Sequence, residues 1–282
     1  MVSEMQTATV HPWNVGFRWA DTEPTHGALT AAQVRVFDTD GFVVVRQVFT
    51  PDEIAAVRAV IDGFEAEAET ALRQLDDDRL FIAEAGAITF SPHLVSRSPE
   101  LAAFARHRAF AALAADLVGP DVDIYWDQAV YKKPEKPRRF PWHQDNGYAF
   151  VEPQQYLTCW VPLTDARLEN GCPQIAPGLH RLGTLAHRYV DPLGYECFPE
   201  PPVEVAVAEA AVGDVIVFSS LTPHLTGPNL TDEVRKAYIL QYSPVGAEVL
   251  EGDPGAGAPT GRRACTEPRH LPVARRGRPV PS

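Results

Sequence analysis

The chain has 282 residues, 45% apolar and 22% charged, enough to bury a sizeable core as one soluble globular domain. Its net charge of −12 argues against a nucleic-acid partner, which needs a basic face, and no apolar run approaches the length of a membrane span. Four cysteines (Cys159, Cys172, Cys197, Cys265) have neither CxxC nor zinc spacing, and residues 1–14 lack a basic-then-apolar signal, so a cytoplasmic protein with reduced thiols is expected.

In chain order, Thr30 caps a short helix to Asp38, and Phe42 to Arg46 reads as a strand. Thr50-Pro51-Asp52-Glu53 is a helix start with a capping box, and Ile54, Val57, Ile61 and Phe64 mark its apolar face. Ser98-Pro99-Glu100 begins a further helix with Leu101, Phe104, Leu113 and Leu117 inward and Gly119 as its stop. From Val122 onward the pattern changes to short strands broken by Pro and Gly: Tyr125–Tyr131, Leu157–Val161, Val215–Phe218 after the Gly213-Asp214 turn, and Arg235–Tyr242. Helices followed by a run of strands predict a mainly β fold, a jelly-roll barrel (double-stranded β-helix) with flanking N-terminal helices.

Within that barrel, His143-Gln144-Asp145 is the most informative segment. On a strand, residues i and i+2 share a face, so His143 and Asp145 can close on one ion, with His224 arriving from a distant strand. Two imidazoles and one carboxylate on one side of an octahedron are the donor set of non-haem Fe(II) oxygenases. Arg235, after the Gly227-Pro228-Asn229 turn, supplies a fixed bidentate cation suited to the far carboxylate of a dicarboxylate co-substrate. H-x-D alone arises by chance in many proteins, so the weight rests on the set of four.

The motifs Trp142-His143-Gln144-Asp145, Leu168-Glu169-Asn170-Gly171-Cys172, Pro177-Gly178-Leu179-His180, Gly213-Asp214 and His224…Arg235, with the leading Asp40-Gly41-Phe42-Val43-Val44-Val45, resemble the phytanoyl-CoA dioxygenase family over about residues 28 to 245. Leu179 departs from the family's more usual small hydroxyl residue. The resemblance implies Fe(II) held by His143, Asp145 and His224, and 2-oxoglutarate and O₂ as co-substrates. It also implies Arg235 on the far 2-oxoglutarate carboxylate and Trp160 beside the co-substrate; Thr226, two residues beyond His224, faces the same way and is a further candidate for that carboxylate. Asp145 implies hydroxylation, desaturation or a related oxidation, because related halogenases lack this carboxylate.

The primary substrate stays open between an acyl-CoA and a natural-product intermediate, with Gln144, Asn146, Tyr148 and Lys133 as candidate contacts. Lys133 belongs to a basic segment, Lys132 to Arg139, that reads equally well as a solvated loop. Phe150 can line the pocket or pack. Plain core packing is an equal reading for Trp160. His93, His107 and His187 have no metal-partner spacing. Trp13 and Trp19 can anchor the leader or form a subunit contact, and monomer and homodimer stay open. The expected organisation is a leader (1–28), a catalytic domain (29–248) and a Pro/Gly/Arg-rich tail (249–282), whose basic end reads as disordered. Two other classes compete: a metal-dependent barrel enzyme without oxygen chemistry (isomerase or hydrolase), which leaves Arg235 unexplained, and a non-catalytic binding protein of the same fold.

Overall fold

In the computed structural model, which describes residues 8–22, 27–134, 140–265 and 271–281, helices lead into antiparallel sheets. α1 (Ala31–Asp40) starts on a capping box between Thr30 and Gln33 and ends at Gly41, which is left-handed at φ 84°. A Cβ at Gly41 would lie 2.5 Å from Thr222 Oγ1 and 2.6 Å from His180 Nδ1, so only glycine lets β1 (Phe42–Val45) leave the helix here. α2 (Pro51–Leu72) begins on the Thr50–Glu53 capping box and buries Ile54, Val57 and Ile61. β2 (Arg79–Leu80), β3 (Ala83–Glu84) and β4 (Ile88–Pro92) follow. The single helix expected after Ser98 is two, α3 (Pro99–Ala105) and α4 (Arg108–Leu117). His107 divides them, because its Nδ1 accepts from the Ala109 amide and caps the second helix.

The remaining strands are β5 (Val122–Lys132), β6 (Val151–Glu152), β7 (Leu157–Pro162), β8 (Pro173–Ile175), β9 (Arg188–Val190), β10 (Gly194–Glu196), β11 (Ala206–Val207), β12 (Val215–Ser219), β13 (His224–Thr226), β14 (Arg235–Pro244), β15 (Glu248–Glu251), β16 (Gly261–Ala264), β17 (Pro272–Arg275) and β18 (Arg278–Pro279). The large sheet has the order β1-β12-β7-β14-β5-β4-β3-β2, and a smaller one the order β11-β8-β13. This is the jelly-roll arrangement expected from the sequence.

Two-residue alternation assigns the faces. Leu157, Cys159 and Val161 of β7 join Val215, Val217, Tyr238 and Leu240 in a core shared with α1 to α4. Trp160 points the other way, into an interior cluster with Ile216, Ala237, Ile239 and Ile175 of the smaller sheet. The inner face of the large sheet therefore carries Trp160 and Ile239, and the site is built on it.

The described parts of the leader and of the C-terminal segment are both fastened to the body. The Trp13 indole donates to the Gly257 carbonyl at 2.6 Å and that of Trp19 to Asp38 at 3.2 Å, so both anchor the leader. The C-terminal segment differs from its expected disorder: β16 pairs with β15, and β17 pairs with β5 with Val273 and Ala274 fully buried. Its charge explains part of this, since Arg262 bridges Glu152 and Glu248, Arg263 meets Glu251, and Arg275 reaches Asp123. The acidic body and basic end complement each other. Among the described residues no helix is long and apolar enough to cross a membrane.

Candidate metal centre

His143 and His224 are brought together by backbone pairing. Each amide donates to the other's carbonyl, at 3.0 and 2.8 Å, and their ring centroids lie 4.3 Å apart. Asp145 is placed differently from the strand expectation. Gln144 is extended, but Asp145 opens a 3-10 turn (Asp145–Gly147), which Asn146 stabilises by accepting from the Val151 amide at 2.9 Å. The turn swings the carboxylate back, leaving Asp145 Oδ1 3.9 Å from His224 Nε2. One donor atom from each of His143, Asp145 and His224 lies within 4.8 Å of the others.

Their hydrogen bonds fix which atoms face the centre. His143 Nδ1 lies 3.1 Å from the Pro141 carbonyl, and His224 Nδ1 lies 3.0 Å from that of Thr222. A carbonyl can only accept, so both Nδ1 atoms carry the proton and both Nε2 lone pairs are left for an ion. Burial, and then the neighbouring His224, push the His143 pKa well below its ordinary value, which keeps the ring neutral as a ligand must be. Asp145 Oδ2 accepts a short hydrogen bond from Thr158 on β7, leaving Oδ1 for the centre. This donor set fits a metal with three protein ligands on one side.

Arg235 opens β14 and is 1% exposed, its guanidinium carbon 5.3 Å from the Trp160 ring centre. Asn229 holds the preceding turn by donating to the carbonyls of Lys132 and Glu233, at 2.8 and 2.5 Å, and accepting from Thr231. Lys132, also fully buried, donates from Nζ to the carbonyls of Thr226 and Gly227, at 2.8 and 2.6 Å. This lysine braces the end of β13 and leaves the Thr226 hydroxyl outside its contacts.

Three of the four candidate substrate contacts have other work. Gln144 is fully buried and clamps backbone, donating to the Gly183 and Leu221 carbonyls and accepting from the Leu185 amide, at 3.0, 2.6 and 2.6 Å. Asn146 bonds Val151 and Thr184. Lys133 is neutralised by Glu65 and Glu69 of α2, at 3.1 and 2.7 Å. Residues 135–139 of the same basic segment lie outside the described residues. Tyr148 alone faces the centre and solvent, 51% exposed with its ring 5.3 Å from that of His143. Phe150 is buried against His11 and Trp13, with ring centres 4.7 and 5.9 Å away.

Two histidines without sequence assignment are structural. His187 Nδ1 donates to the Leu185 carbonyl at 2.9 Å while Nε2 accepts from the Gln144 amide at 3.0 Å. A Cβ on Gly147 would fall 2.2–2.4 Å from that ring, so glycine lets the Asp145 turn pass it. His180 is fully buried and donates from Nε2 to the Asp38 carbonyl at 3.2 Å, latching the end of α1. Burial lowers the pKa of both to about 4. Sequence reasoning missed Thr158, although its spacing of two from Trp160 puts it on the same inner face.

The family model for phytanoyl-CoA dioxygenase matches residues 37–237. The ectoine dioxygenase of Sphingopyxis alaskensis is 27% identical over 93% of this chain and 87% of its own length. Among solved structures, EctD from S. alaskensis in its apo form superposes with a TM-score of 0.68 at 26% identity, covering 90% of each chain. EvdO2 from Micromonospora carbonacea var. aurantiaca, complexed with 2-oxoglutarate, gives a TM-score of 0.59 at 27% identity, over 79% of this chain and 96% of its own.

Proposed function

The chain belongs to the phytanoyl-CoA dioxygenase family, and on that premise we propose that it is an oxidoreductase using Fe(II), 2-oxoglutarate and O₂ to hydroxylate or otherwise oxidise an unactivated C–H bond of a small organic substrate. The observation that carries this reading is the convergence of His143, Asp145 and His224 within 4.8 Å, with both Nδ1 atoms tied to carbonyls. His143 and His224 hold iron through Nε2 and Asp145 through Oδ1. When bound, the metal with 2-oxoglutarate and O₂ supplies the oxidation of the C–H bond, and succinate and CO₂ leave as co-products. Arg235 pairs with the far carboxylate of 2-oxoglutarate, Thr226 donates to it, and the Trp160 ring flanks it in a dry interior where a charge-assisted pair is strongest. The backbone carbonyls of Pro141 and Thr222 set the imidazole tautomers, and Thr158 aims the carboxylate.

Among substrates, an acyl-CoA and a natural-product intermediate both remain in play; a CoA phosphate would have to use cations other than Lys133, which is held by two carboxylates. A cytoplasmic location accords with the unpaired cysteine thiols. The test is to supply the Fe(II)-loaded protein with 2-oxoglutarate, O₂ and a metabolite library, following succinate release and oxygenated or desaturated products by mass spectrometry. Turnover of a substrate with Fe(II) that leaves 2-oxoglutarate unconsumed would instead select an isomerase or hydrolase.

A further inference from the structure

Gln241 stands out against the rest of the barrel interior. Its neighbours Leu240 and Tyr242 lie in the core under the helices, so Gln241 points to the opposite, inner face. It is directly opposite Thr158, the residue that donates to Asp145. Side chains opposite one another on an antiparallel pair share a side of the sheet, so the carboxamide sits beside the ligand network. It is 8% exposed, yet among the described residues its amide makes no hydrogen bond. Neither of its polar atoms is among the fully buried ones that lack a partner, so the carboxamide opens onto accessible space on that face and is available to a ligand. The β5–β14 pairing also slips beside it: Gln241 pairs with Trp126 and Tyr242 with Ile124, which leaves Tyr125 as the extra residue of a bulge. Bulges of this kind re-aim side chains next to active sites.

A second surface reaches the same centre from the other side. Tyr148 stands against the His143 ring, Tyr195 lies 5.4 Å from Tyr148, and Tyr189 lies 5.6 Å from Tyr195, measured between ring centres. Tyr189 and Tyr195 are cross-strand partners on the β9–β10 hairpin. All three are exposed, at 51%, 39% and 47% in the order Tyr148, Tyr195, Tyr189. Contiguous exposed rings leading to a buried polar centre mark a binding surface, and their faces suit flat or saturated rings.

Resting on the oxygenase reading above, we infer that Gln241 is the residue that orients the primary substrate. The substrate class is a small ring compound whose carbonyl, amide or hydroxyl group bonds the Gln241 carboxamide while its ring lies on the tyrosine face. The ring is held at the mouth, and the amide bond turns one C–H toward the metal side. An extended acyl chain would use neither feature.

Two measurements test this without knowing the natural substrate. The first is thermal unfolding of the metal-free protein and its Gln241→Met variant. The amide holds no protein group and reaches solvent, so the apolar side chain of similar size should leave Tm within about 2 °C, as for a change of at most about 0.5 kcal/mol in a domain of this size. A Tm lowered by more than about 4 °C would mean that Gln241 has a structural partner, and would overturn the inference. The second uses benzamide, a flat ring bearing one carboxamide, titrated anaerobically into protein loaded with Fe(II) and 2-oxoglutarate. Benzamide should perturb the visible charge-transfer band, and at least tenfold more should be needed in Gln241→Met and in the Tyr189→Ala/Tyr195→Ala pair. No perturbation, or equal perturbation in the variants, overturns the substrate class. If the band never forms in wild-type protein, the oxygenase reading fails by itself, and the Tm comparison still decides the role of Gln241.

Discussion

Thr158→Val should weaken iron binding while leaving the fold in place. Thr158 is fully buried on β7, and its hydroxyl donates to Asp145 Oδ2. Valine matches threonine in shape and is at home on a strand, so the packing is nearly conserved and the hydroxyl is what is lost. A hydrogen bond to a charged acceptor contributes about 1.5–3 kcal/mol, which is roughly a 10- to 150-fold change in an equilibrium constant. The Asp145 side chain is 12% exposed, so water can partly replace the hydroxyl and the lower half of that range is expected. Outer groups that position metal ligands commonly carry about 10–100-fold in affinity. The assay is anaerobic Fe(II) titration of wild-type, Thr158→Val and Thr158→Ser proteins, with urea unfolding of the metal-free forms as a control. Serine keeps the donor and should recover most of the affinity. Iron affinity in the valine variant within twofold of wild type would refute the idea that Thr158 positions the carboxylate.

The other predictions concern the co-substrate, the backbone clamp and acid. Arg235→Ala should raise the 2-oxoglutarate requirement roughly 30-fold or more, for a loss of about 2–5 kcal/mol, and disturb iron affinity far less; isothermal titration with each ligand checks this. Gln144→Leu should destabilise the fold by about 3 kcal/mol or more, because three buried backbone groups lose their partner, and urea unfolding reads it. His180 and His187 are held near pKa 4 against about 6.5 when unfolded, so the unfolded chain takes up protons first as pH falls. Their contribution is whole above about pH 6.5 and is lost progressively toward pH 4. Between pH 7 and pH 5 it amounts to about 2 kcal/mol for each ring. Metal-free protein should therefore unfold at lower urea at pH 5 than at pH 7, and a His180→Gln/His187→Gln protein should show a smaller difference.

Much of this architecture is legible in the sequence because it rests on local chemistry. Thr30 and Thr50 start their helices through capping boxes that involve only the next three residues, and Arg235, Ala237, Ile239 and Gln241 announce one strand face by their spacing. The candidate metal triad is legible for the same reason, since only a few residue types can ligate a metal. What escaped depends on tertiary partners. His107 splits a helix because its ring turns back to cap the second half. The strands β2 and β3 have two residues each, too short for any period to show. The basic C-terminal segment looks disordered by composition, but it finds β5 and β15 as sheet partners and acidic side chains as counter-charges. Gln144 and Asn146 adjoin the triad in sequence, yet both turn their amides into the backbone, since sequence proximity does not specify which way a side chain faces.

The most direct test of the central claim is anaerobic absorption spectroscopy of Fe(II) and 2-oxoglutarate with wild-type protein and single alanine variants of His143, Asp145, His224 and Arg235. Wild-type protein should give a weak visible charge-transfer band, with succinate forming slowly when O₂ is admitted even without primary substrate. The three ligand variants should lose the band by losing iron. Arg235→Ala should keep the iron and recover the band only at high 2-oxoglutarate. A folded, iron-loaded wild-type protein that gives neither band nor succinate, or a His224→Ala protein that gives both at wild-type strength, would contradict the account.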